Sequence, residues 1–129
     1  MDVVWCLFPF EEKPGVPGPE PHPGLIFETR EFRPGEYAVK VVYGTSNTRR
    51  PGSPHFIVSN FNAMKYAGLN CVTIFDLGRS KWLPWTDGFF RSPDLAKYPT
   101  PKIGCIKEDG QGALAAVLAE RAARGLPNP

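Results

Sequence analysis

Two imidazoles, one carboxylate in a glycine-containing turn and several pairs of cations are the groups in this chain that could do chemistry at neutral pH. His22 and His55 are the two side chains that titrate there without help from their surroundings. His22 lies in a proline-rich stretch at the mouth of a strand, whereas His55 opens the apolar run HFIV and reads as structural. Asp76-Leu77-Gly78-Arg79 reads as a tight turn that sets an acid beside a guanidinium. Arg30 with Arg33, Arg49 with Arg50, and Arg79 with Lys81 fall at strand ends or loops, next to Phe27 and Phe32, Tyr43, and Trp82 and Trp85 respectively. Solvated surface cations are one reading of these pairs. Single-stranded nucleic acid is the other, because phosphates need positive charge and splayed bases need flat faces.

If the substrate is RNA, cleavage requires no metal. The 2′-hydroxyl attacks the adjacent phosphate, so the protein supplies a base, an acid and donors for the charge on the phosphorane oxygens. His22 as general acid, Asp76 as base or as the partner orienting it, Arg79 on phosphate and the hydroxyls of Thr45 or Ser46 donating to it suffice for those tasks, with Arg49, Arg50, Lys81, Trp82 and Tyr43 as RNA-binding residues. No zinc-ligand spacing, P-loop, dinucleotide fingerprint or nucleophile elbow occurs, so neither a metal nor another cofactor is expected.

The elements that position these groups are short. The chain has 129 residues, of which 13 are Gly and 15 Pro, and 42% are hydrophobic, enough for one small core and a single domain over residues 1–129. Its net charge of +2 is too small for bulk electrostatics to choose a partner. No apolar run is long enough to span a membrane, and the chain reads as soluble, unprocessed and cytoplasmic. Cys6, Cys71 and Cys105 each lie in an apolar run and read as buried free thiols.

Strands are expected at residues 3–8, 24–29, 37–43, 55–58, 71–75, 81–83 and 102–106. The third is the clearest, with Tyr37, Val39, Val41 and Tyr43 on one face and Ala38, Lys40 and Val42 on the other. Five prolines between residues 11 and 24 make that stretch a stiff loop, and residues 85–101 are irregular for the same reason. Asn60 can cap a short helix whose Phe61, Met64 and Ala67 share a face and which Gly68 stops. A terminal helix begins at Asp109 or Gln111, with Leu114, Val117, Leu118 and Ala122 as its apolar stripe and Glu120, Arg121 and Arg124 off it. Six or seven short strands with Gly/Pro turns predict a mainly β fold, a small barrel of antiparallel strands that the last helix covers.

The order DVVWCLFPF, PHPGLIFE, YAVKVVYGTSNT, GLNCVTIFDLGRSKWLPW, PKIGCIKE and a closing helix resembles the PemK/MazF family of toxin-antitoxin toxins over nearly the whole chain. The resemblance implies an SH3-like barrel, a homodimer, and a metal-independent endoribonuclease neutralised by a cognate antitoxin protein. It places Thr45 and Ser46 at the hydroxyl position that contacts the scissile phosphate, Asp76 at the acidic position and Arg79 in the same turn. The chain departs from the family in having His22 where an Arg usually precedes the proline. The alternative expectation is a non-catalytic barrel of the same fold that binds a protein or peptide.

Overall fold

The computed structural model describes residues 1–47 and 54–129. Six strands and two helices follow in the order β1 (Asp2–Cys6), β2 (His22–Arg33), β3 (Glu36–Thr45), β4 (Phe56–Val58), α1 (Phe61–Ala67), β5 (Thr73–Pro84), β6 (Lys102–Cys105) and α2 (Glu108–Ala123). All pairings are antiparallel, and the strands form one sheet in the order β4-β5-β3-β2-β1-β6.

That sheet is curled. Laid flat, six strands would hold β4 and β6 about 24 Å apart, five spacings of ~4.8 Å. Yet Phe56 and Val58 of β4 share one buried cluster with Ile103 of β6, and Leu114 of α2 joins them. The curl comes from bulges, which bend a strand and increase its twist. Phe27 is extra between the pairs Ile26↔Val41 and Glu28↔Lys40, and β1 shifts register against β6 between Val3 and Val4. The result is a half-barrel, the coarse architecture that the strand spacing predicts.

The largest bulge corrects the sequence reading. Tyr43 pairs with Asp76 and the adjacent Val42 pairs with Ser80, so Leu77, Gly78 and Arg79 have no opposite residues. Asp76-Leu77-Gly78-Arg79 is therefore no chain reversal between two short strands. It is an excursion within one twelve-residue strand, β5. Its turn-like composition has a local cause: Asp76 Oδ1 accepts the Gly78 N–H at 3.0 Å, as in a turn, but the ladder to β3 then resumes.

Alternation along β3 splits the core in two. Val42 points into the cluster shared with β4, β6 and the helices, while Val39 and Val41 join Val4, Cys6, Phe8, Leu83, Phe89 and Phe90 on the opposite face. The second cluster is covered by the irregular segments. Gly18 in the proline-rich loop donates its N–H to Leu7 O (3.1 Å), and Leu7 N–H reaches Phe89 O (2.7 Å). The loop is thus docked on the end of β1.

Both helices are stopped and seated by local chemistry. Asn60 accepts from the N–H groups of Asn62 (2.9 Å) and Ala63 (3.3 Å), and Gly68 ends α1 at φ 71°. α1 docks so closely on β6 that a Cβ on Gly104 would fall on the backbone of Tyr66 and Ala67. Phe61 is 77% exposed, so the apolar face expected of this helix reduces to Met64 and Ala67. On α2 the buried positions are Leu114 and Arg121 rather than Ala122. Spacing 114, 117, 118, 121 is a regular helical stripe, and the guanidinium ends it. Arg121 is 1% exposed, donating from Nη1 to the Pro54 carbonyl (3.0 Å) and from Nη2 to the Pro127 carbonyl (3.2 Å). Of the cysteines only Cys6 is buried, its thiol pushed up to about 12 by burial; Cys71 is exposed and Cys105 is half-buried. Among the described residues no helix is long and apolar enough to cross a membrane.

Candidate functional site

The start of β2, the end of β3 and the bulge of β5 meet at one end of the sheet. Register brings them there: Gly24 and Asp76 flank Tyr43 on its two sides in the ladder. Directly opposed residues share a face, so Asp76 lies on the Tyr43 face. Two residues before Gly24, the His22 ring sits with its centroid 4.9 Å from that of Tyr43. From the bulge, the Arg79 guanidinium lies 4.3 Å over the Tyr43 ring and 5.3 Å from that of Phe8. His22 thus meets Asp76 and Arg79, more than fifty positions further along the chain, around one tyrosine.

The electrostatics of this cluster bear on proton transfer. Partial burial holds His22 below its ordinary value of 6.5; Glu20 opposes that shift and the Arg79 charge reinforces it. The neutral imidazole is therefore the favoured form at pH 7. In the unfolded chain the ring takes up its proton nearer 6.5, so the unfolded state binds more protons as pH falls through that range. Thermal melts at pH 7.5 and 5.5 are expected to show a larger acid-induced loss of stability for the native chain than for His22→Gln. Equal losses would mean that His22 has no such linkage. Arg79 Nε is buried and has no hydrogen-bond partner, so its guanidinium is held by ring contacts on that side.

Asp76 has an imidazole neighbour, and it is His55. His55 Nδ1 lies 3.4 Å from Asp76 Oδ1, with both side chains nearly buried, and the Leu77 N–H points at the same nitrogen at 3.3 Å. The two contacts exclude each other. A ring with its proton on Nε2 alone accepts from Leu77, whereas one with a proton on Nδ1 donates to the carboxylate. In the sequence His55 has the look of a structural residue, the first of the apolar run HFIV. The pairing Phe56↔Phe75 carries it alongside Asp76, and only knowledge of that register could have revealed it.

The predicted phosphate-binding hydroxyls separate. Thr45 is buried and its Oγ1 accepts the Asn47 N–H at 3.1 Å, whereas Ser46 is exposed. Ser46 and His22 both line a cavity of about 920 Å³ on the helix side of the sheet. Trp5, Phe61 and Tyr98 supply aromatic surface there, and Lys65 and Lys97 are the formally charged groups among its described lining residues. A second cavity, of about 1050 Å³, opens between the β4 and β6 edges, where Asp2, Glu108 and Asp109 balance Lys102, Lys107 and the Met1 amino group. The two are similar in size. Charge separates them, and only the first suits a polyanion.

Lys81 lies opposite Val41, on the Tyr43 face, and is half-buried. Trp82 lies opposite Lys40, three residues along β3 from Tyr43, and so points to the face opposite Tyr43, without lining the 920 Å³ cavity. Arg49 and Arg50 lie outside the described residues. Compared with known protein families and with curated protein sequences, the chain matches none.

Proposed function

We propose that this protein binds single-stranded RNA along the 920 Å³ cavity and over the His22 end of the sheet onto the Tyr43 face, and cleaves it there by attack of a 2′-hydroxyl on the adjacent phosphate. The observation that carries the reading is the meeting of His22, Arg79 and Asp76 around Tyr43, with His22 shared by a cavity rich in rings and free of carboxylates. Neutral His22 takes the 2′-hydroxyl proton as the oxygen closes on phosphorus. The P–O5′ bond breaks, leaving a 2′,3′-cyclic phosphate and a 5′-oxygen protonated by water. Arg79 and the Ser46 hydroxyl carry the charge that builds on the phosphorane oxygens. Asp76, engaged by the Gly78 N–H and beside His55, shapes the bulge that presents Arg79.

The half-barrel, its segment order and this cluster together favour a PemK/MazF-type toxin with an SH3-like barrel, acting as a homodimer restrained by an antitoxin. Purified protein incubated with a long single-stranded RNA in excess EDTA is expected to release fragments ending in 2′,3′-cyclic phosphate. RNA left intact and unbound overturns the reading, and intact RNA alongside tight binding of a peptide establishes the non-catalytic alternative.

A further inference from the structure

We propose that the distal part of the β2–β3–β5 ribbon carries a second single-strand subsite, centred on Trp82, that stacks nucleotides of the same RNA beyond the cavity. The inference rests on the RNA reading of the cavity. Trp82 is 38% exposed, a large ring left in water on β5, the outer strand of the three-stranded ribbon. Arg30 of β2 places its guanidinium 4.7 Å from the ring centroid, and Lys40 of β3 places its ammonium at 6.0 Å. The indole thus meets one cation from the adjacent strand β3 and one that reaches across β3 from β2. Rings of this kind bind bases of any sequence, and flanking cations bind the phosphates between them.

The charge on the patch is available. Glu28 pairs with Arg30 at 3.4 Å, but the two side chains are 51% and 64% exposed. Exposed pairs of this sort contribute little, so a phosphate can replace the carboxylate at small cost. An arrangement that served only to stabilise the ribbon would gain more by burying the indole than by leaving it open between two cations.

The three tryptophans allow a direct test. The double variant Trp5→Phe/Trp85→Phe leaves Trp82 as the sole indole, and Trp82→Phe/Trp85→Phe leaves Trp5, which reports the cavity. A 2′-O-methyl oligouridylate cannot undergo 2′-hydroxyl attack and serves as the probe. A long oligomer is expected to quench both reporters, and a trinucleotide only Trp5. Trp82→Ala is expected to weaken the long oligomer about 5- to 150-fold, the range found for one stacked base, and to leave the trinucleotide unaffected. Arg30→Gln/Lys40→Gln is expected to lower the slope of log affinity against log salt by about 1.4, two phosphates at ~0.7 each. If Trp5 responds and Trp82 does not, the second subsite is overturned and the cavity stands. If neither responds, the RNA reading falls with it. Shielding of Trp82 that depends on protein concentration without any oligomer identifies the patch as a contact between copies, which also overturns the proposal.

Discussion

His22→Ala is expected to slow RNA cleavage about 10²–10⁴-fold, the contribution of a positioned proton-transfer group. The ring stands 4.9 Å from Tyr43 at the edge of the carboxylate-free cavity, and burial and Arg79 favour its neutral form. A base must be unprotonated when the substrate arrives, and this environment meets that condition at pH 7. Removing the ring takes away the proton acceptor while leaving Arg79 stacked over Tyr43 and Phe8, so charge stabilisation persists and some cleavage survives. Affinity for a 2′-O-methyl oligomer, which measures binding without chemistry, is expected to change far less than the rate. A rate within a factor of two of the native chain would remove His22 from proton transfer.

The second large effect is on stability. Phe75→Ala is expected to cost about 3–5 kcal/mol, which is a large share of the ~5–15 kcal/mol available to a domain of this kind. Phe75 is fully buried and pairs with Gly44 on one side and Phe56 on the other. Its ring stacks on that of Phe56 with centroids 6.2 Å apart, in the cluster that ties β4 and β6 to α2. Gly44 leaves room for the ring, since a Cβ there would run into its edge. No neighbour can move in to fill the space, because strands β3 and β4 are fixed on either side by the ladder, so the cavity term is added to the lost transfer term. A fall in Tm of about 10–20 °C is expected by calorimetry, and a fall under ~2 °C would mean that this cluster does not hold the curl together.

Several parts of this protein are written locally and could be read from the chain. Tyr37, Val39, Val41 and Tyr43 alternate with Ala38, Lys40 and Val42 because a strand repeats every two residues. Asn60 and Gly68 bracket α1 because an amide oxygen satisfies free N–H groups and glycine accepts a positive φ. Pro14, Pro17, Pro19 and Pro21 keep their stretch out of helix and ladder, and it docks as a loop, whereas Pro23 falls inside β2 opposite Trp5. In each case the cause lies within a few residues of its effect.

The features that misled or escaped a reading of the chain depend on partners distant in sequence. Asp76-Leu77-Gly78-Arg79 has the composition of a reversal, and whether it turns or bulges depends on β3, which resumes pairing at Ser80. Arg121 reads as a solvent-facing cation until the carbonyls of Pro54 and Pro127 appear beside it in the packed molecule. His55 next to Asp76, and Trp82 between Arg30 and Lys40, exist only through strand register. From its residues alone this chain specified which segments extend, coil or stop, since those preferences arise from backbone sterics and short-range hydrogen bonds. Which side chains share a site came from the folded sheet, because a shift of one residue in any pairing turns every side chain of that strand to the opposite face.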